Sequence, residues 1–84
     1  MAQLTPVQLR LSRAERRVAC DRRRIALQQM FVDGLEARGF DATGARLVLT
    51  QLAETLHTSL AVRARMRALA GIAETDDPRQ SAAA

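Results

Sequence analysis

Apolar residues recur at alternating steps of three and four positions along the first half of the chain. This period, close to 3.5 residues, places the apolar side chains on one stripe of a helix and is typical of a coiled-coil seam. The seam positions are Leu4, Val7, Leu11, Ala14, Val18, Asp21, Ile25, Gln28, Val32 and Leu35. Thr5 suits the N-cap and Pro6 the first helical position. The pattern therefore predicts a helix over residues 6–38, with Asp21 and Gln28 as polar members of its seam.

A second seam of the same period follows a short break at residues 39–41. Its positions are Ala45, Leu49, Leu52, Leu56, Ser59, Arg63, Met66, Ala70 and Ala73. Gly39 favours a left-handed C-terminal cap and Asp41 an N-cap, while Thr43 is a second possible cap that would shift the start by two residues. The second helix is predicted over 42–72.

A connection of three residues between long helices requires an antiparallel hairpin. The numbers of facing residues then add up to about 80, and the two seams meet in register at every layer. Asp21 faces Ser59, next to the layer of Arg63, so Asp21 and Arg63 are predicted to lie close enough to pair. The predicted fold is all-α, a coiled-coil-like antiparallel hairpin forming one domain over residues 1–73, followed by a flexible tail over 74–84.

Apolar residues off the seams indicate a second buried surface. A chain of 84 residues buries little surface when it folds alone, and two helices share a single thin seam. A wider apolar stripe suits a bundle core better than a two-stranded coil. We expect a homodimer forming a four-helix bundle, or docking on another helical protein, through Leu27, Phe31, Val48 and Val62. The alternative is that these side chains are exposed singly, as is common for apolar residues.

Arginine supplies all 13 basic residues, and the net charge is +4. Seven arginines fall within residues 10–24, and the hairpin register brings those of the second helix to the same end. The candidate anion or nucleic-acid patch is Arg13, Arg16, Arg17, Arg23, Arg24 and Arg65. No aromatic residue interleaves with them for base stacking, and no helix-turn-helix, zinc-finger or basic-zipper pattern occurs. A solvated or protein-docking face is therefore favoured, with nucleic-acid binding as the alternative.

Residues able to carry out chemistry are few. The chain has one histidine, His57, and one cysteine, Cys20, so no His/Cys metal cage and no internal disulfide can form. Neither residue has a catalytic partner in a recognisable pattern, and no glycine-rich phosphate loop is present. We expect no catalytic, cofactor or metal site. The absence of a secretory signal or a long apolar segment leads us to expect a cytoplasmic protein without a membrane span.

The seam residues also resemble those of a group of small helical-hairpin proteins of alphaproteobacteria. The similar segments are 14–19, 24–28, 39–41, 45–56 and 63–65, within a span of about residues 11–69. Phe40 stands where a polar residue is usual in that group. The resemblance implies a helical hairpin and no established activity. Together these features predict a non-enzymatic protein-interaction or scaffolding module.

Overall fold

A computed structural model describes residues 3–75, with side chains up to residue 72. It consists of two helices, α1 (Pro6–Ala37) and α2 (Thr43–Thr75), which pack against each other along their length as an antiparallel hairpin. The resulting rod measures 65 × 25 × 18 Å, and its described residues contain no strand. The predicted all-α hairpin is confirmed, whereas the four-helix bundle involves a second copy and stays a prediction. Neither described helix has a stretch long and apolar enough to cross a membrane.

A capping box starts α1. The Gln8 N–H donates to the Thr5 hydroxyl at 3.1 Å, while the Thr5 N–H donates to the Gln8 side-chain oxygen at 2.9 Å. Pro6 occupies the start of the helix, where a missing N–H costs no helical hydrogen bond. The predicted start of α1 is therefore confirmed.

A Schellman motif ends α1. Gly39 has a φ of 76°, which a side chain would strain, and this confirms the predicted left-handed cap. The Phe40 N–H donates to the Leu35 carbonyl at 2.9 Å and the Gly39 N–H to the Glu36 carbonyl at 3.0 Å. These bonds provide partners for carbonyl groups that have no acceptor role within the helix, and the chain reverses direction within a few residues.

The start of α2 differs in detail from the prediction. The Arg46 N–H donates to the Ala42 carbonyl at 2.8 Å, so Ala42 occupies the N-cap position. Asp41, one residue earlier, accepts from the Thr43 N–H at 2.9 Å and from the Thr43 hydroxyl at 2.6 Å. This Asx-type turn places the buried Ala42 under the end of the hairpin.

Stability at low pH should depend on Asp41. Hydrogen bonds from the hydroxyl and then the N–H of Thr43 hold the pKa of Asp41 below its ordinary 3.8. A lowered folded pKa stabilises the hairpin above pH 3.8, and this stabilisation is lost as the pH falls through the folded value. We expect Asp41→Asn to flatten the fall of the melting temperature below that pH, measured by circular dichroism. Asp33→Asn is the matched exposed control, and an equal flattening there would contradict the assignment.

Helix α2 continues past Gly71 to Thr75, three residues beyond the predicted end. Of the predicted tail over 74–84, the first two residues are helical. Residues 76–84 lie outside the described part of the chain.

The core is a single thin layer between the helices, and it has the predicted register. At the turn end, Val32 packs with Ala42 and Ala45, flanked by Leu35 and Leu49. The buried apolar residues are Ala14, Val18, Val32, Ala42 and Ala45. Three of these five are alanines, so little apolar surface is completely removed from water.

Candidate interaction surface

The two edges along which the helices meet differ in charge. On one edge, Arg67 pairs with Glu15 at 3.6 Å, and the Arg46 Nε donates to Glu36 at 2.9 Å. We call this edge the ion-paired flank. These two cross-helix pairs connect the helices near both ends of the rod.

The opposite edge carries an open groove of about 350 Å³. Arg17 of α1 forms one wall, and Thr55, Thr58 and Val62 of α2 form the other. Toward the open end of the hairpin the groove continues between Arg10 and the apolar side chain of Met66. We name this surface the arginine groove and define it as Arg10, Arg13, Ala14, Arg17, Thr55, Thr58, Ser59, Val62 and Met66. None of these lining residues carries a carboxylate.

A buried carboxylate lies at the base of the arginine groove. Asp21 is 2% exposed, and its Oδ2 accepts a hydrogen bond from the Ser59 hydroxyl at 2.5 Å. Its Oδ1 lies 3.7 Å from the Nε of Arg17, whose side chain is 65% exposed. Arg17 is thus held at the groove wall by a charge beneath it.

Asp21 and Arg63, predicted to lie close enough to pair, do not form an ion pair. Among the described residues, the ion-pair partner of Asp21 is Arg17, four positions earlier on the same helix. Residues four apart on a helix face each other, so Arg17 reaches the carboxylate without crossing the seam. The predicted facing of Asp21 and Ser59 is confirmed by their hydrogen bond.

The second polar seam residue is also satisfied across the interface. The Gln28 side-chain amide donates to the Ala45 carbonyl at 2.9 Å. No buried side-chain nitrogen or oxygen in the described part of the protein lacks a hydrogen-bond partner. Three of the four polar seam residues, Asp21, Gln28 and Ser59, are therefore accommodated by specific bonds, which favour one alignment of the two helices.

The six arginines of the predicted patch are all exposed, but they do not share one site. Arg13 and Arg17 line the arginine groove. Arg24 lies seven residues after Arg17 and Arg65 seven after Thr58, so each extends a groove wall along its helix. The two remaining members lie further round α1, and they are Arg16 and Arg23.

The predicted interface residues divide between two places on the groove side of the hairpin. Val62 lies in the arginine groove itself. Phe31 follows Arg17 by 14 residues and Val48 precedes Val62 by the same number, so both lie about 21 Å nearer the turn. Leu27, four residues before Phe31, adjoins it on the helix surface, and Met30 lines a shallow pocket together with Phe31. We define the turn patch as Leu27, Met30, Phe31 and Val48, whose exposed fractions are 60%, 68%, 56% and 43%.

Six groove residues were not among the predicted site residues, and three of these are seam positions, namely Ala14, Ser59 and Met66. Arg10 was counted only within the arginine-rich segment, and Thr55 and Thr58 had no assigned role. The threonine hydroxyls donate to the carbonyls of Gln51 and Glu54 in their own helix, which leaves their methyl groups to line the groove. The seven-residue spacing of Val48, Thr55 and Val62 was the available signal for this wall.

No constellation suited to catalysis appears in the described part of the chain. Cys20 is exposed on α1 and His57 is exposed on α2. Within the described residues, no group of three or more His, Cys, Asp or Glu side chains could hold a metal ion. The feature of the described surface that is suited to binding is the proximity of arginine side chains to exposed apolar residues.

Comparisons of the chain with protein-family models, with curated proteins and with solved structures give no match. The arginine groove and the turn patch are therefore interpreted from their own chemistry. The arginine groove is basic and partly apolar, whereas the turn patch is mainly apolar.

Proposed function

We propose that this protein is a non-enzymatic interaction module that forms a homodimer through its turn patch. The observation that carries the proposal is the exposure of the four patch side chains, each at least 43% accessible, beside one another on one side of the hairpin. Adjacent exposed apolar side chains of this size are typical of an interaction site.

The thin core supports the same proposal. Valine and alanine supply all the buried apolar residues of the described part of the chain, so the seam alone provides limited stabilisation. A second copy lying antiparallel across the turn patch would cover Phe31 and Leu27 of each chain and produce a four-helix bundle. Such a two-fold interface uses the same surface on both subunits, so one patch suffices. The arginine-rich ends then point away from each other, which limits charge repulsion.

Phe31→Asp should convert the dimer into monomers. The variant places a charge in the centre of the proposed interface, where desolvation opposes association. Sedimentation equilibrium at tens of micromolar should show a dimer for the unmodified chain and a monomer for the variant, with a lower melting temperature. Phe40→Asp is the matched control, because Phe40 is 60% exposed at the turn and outside the patch. A monomeric unmodified chain, or equal dissociation by both variants, would contradict the proposal.

Binding to a nucleic-acid backbone is the second candidate function. It is favoured by the exposure of all six arginines of the candidate nucleic-acid patch. The aromatic residues Phe31 and Phe40 lie toward the turn, away from most of these arginines, so base stacking would not assist such binding. A gel shift across salt separates the candidates, since phosphate binding weakens steeply as salt rises. Replacing Arg16, Arg17, Arg23 and Arg24 by glutamine should abolish any such shift.

A further inference from the structure

We propose that the arginine groove binds an acidic amphipathic helix of a partner protein, at a site separate from the turn patch. The bound helix would lay an apolar stripe on Val62 and Met66 and direct flanking carboxylates toward Arg10 and Arg13. This goes beyond self-association, because it assigns a second surface and the chemistry of its occupant.

The shape of the groove suits a helix. It runs along the hairpin edge from Arg10 to Arg17, about 10 Å at 1.5 Å per residue, and Arg24 extends its basic wall to about 20 Å. A helix of about 14 residues covers that length. Docking of an amphipathic helix into a groove between two helices is a recurrent mode of peptide recognition.

The positive charge of the arginine groove favours an acidic binding partner. Arg17 is already partly neutralised by Asp21 beneath it, at 3.7 Å. Arg10 and Arg13 have no ion-pair partner within the described residues, and no groove-lining residue is acidic. Guanidinium groups bind carboxylates in a bidentate manner, and this preference strengthens where the surroundings are partly apolar.

The apolar wall favours a helix over the other occupants. Val62 and the half-buried Met66 offer contacts to leucine-like side chains that a phosphate backbone cannot use. A second copy of this chain is a poorer match, because most of its exposed carboxylates in the described residues already have partners. Glu15 and Glu36 are in ion pairs, and Asp33 and Asp41 accept hydrogen bonds from their own helix or turn. An acidic amphipathic helix can pair its carboxylates with the arginines of one wall and pack its apolar residues against the other wall.

Fluorescence anisotropy with the full chain tests the proposal at 150 mM salt. The probe is a fluorescein-labelled 18-residue helical peptide with one leucine stripe flanked by glutamates, and its control has glutamine at each glutamate. We expect saturable binding of the first probe only. Arg10→Gln with Arg13→Gln should weaken it about tenfold, as expected for the loss of two partly exposed ion pairs. Val62→Ser should also weaken binding.

The matched control removes the same charge elsewhere. Arg22→Gln with Arg23→Gln lies off the groove and should change affinity less than about twofold. An equal loss of peptide affinity in both double variants would show that general charge attraction accounts for the binding, and this would overturn the proposal. Absence of saturable binding, or an unchanged affinity in Val62→Ser, would also overturn it.

Two further measurements identify a different occupant. Stronger binding of a 20-base-pair DNA duplex than of the peptide would assign the groove to nucleic acid. Dissociation of the dimer by Arg10→Gln with Arg13→Gln would assign it to the second copy. Either result overturns the proposal. Phe31→Asp should leave peptide affinity unchanged, so failure of the turn-patch dimer and failure of the groove are separable.

Discussion

Val32→Asp is expected to unfold the hairpin at 25 °C. Val32 is 3% exposed and is the central member of the cluster formed with Ala42 and Ala45. An unpaired charge buried at this point costs about 3–5 kcal/mol. That cost is comparable to the roughly 3–5 kcal/mol that a core of this size supplies. Far-UV circular dichroism should show loss of more than half of the helical signal.

Ala26→Asp is the control for this experiment. Ala26 lies in the middle of α1 and is exposed, so the same side chain there should leave the helical signal nearly unchanged. A Val32→Asp variant that retains the full signal and a cooperative thermal transition would show that the turn-end cluster does not hold the helices together. Protein concentration must be kept equal, because association shifts apparent stability.

Ser59→Ala should lower the free energy of unfolding by about 1–3 kcal/mol, although it removes a single oxygen. The Ser59 hydroxyl donates the hydrogen bond that Asp21 accepts within the interface, at 2.5 Å. Without that donor, the buried carboxylate keeps only the longer contact to Arg17. Urea unfolding followed by circular dichroism measures the difference. Thr58→Ala, one residue earlier on the exposed surface, should change the unfolding free energy by less than about 0.5 kcal/mol.

Replacing both Asp21 and Ser59 by apolar residues should abolish the loss of unfolding free energy that Ser59→Ala alone causes. In Asp21→Leu combined with Ser59→Ala, the buried polar pair becomes apolar, and such exchanges are often neutral or stabilising by about 1–4 kcal/mol. The double variant is therefore expected to be at least as stable as the unmodified chain. If it were less stable than the unmodified chain, the polar pair would contribute net stability rather than specify alignment.

The helices and their pairing were predictable because they depend on local and periodic signals. A heptad-like seam on each side of Gly39 is sufficient to predict two helices joined by a tight turn. The spacing of the two seams also predicted the register, which the facing of Asp21 and Ser59 confirms. The helix ends were less accurate, since Ala42 rather than Asp41 takes the N-cap position of α2.

The candidate sites were predictable only in part. Exposure of Leu27, Phe31, Val48 and Val62 agrees with their off-seam positions, but periodicity could not separate Val62 from the rest. The grouping of Val62 with Arg17 across the groove required both helices in place. The ion pair between Asp21 and Arg17 was not predicted for the same reason, because layer position does not specify side-chain direction.

The sequence by itself determined two long helices, their antiparallel pairing and a positive charge concentrated away from the turn, since each follows from residue spacing along the chain. The tertiary structure decided how the two flanks differ. Arg46 and Arg67 each reach a glutamate across one edge, which leaves the other edge with arginines and no groove-lining carboxylate. That asymmetry depends on which side chains face one another across the seam, and only the rotation and alignment of the packed helices fix those neighbours.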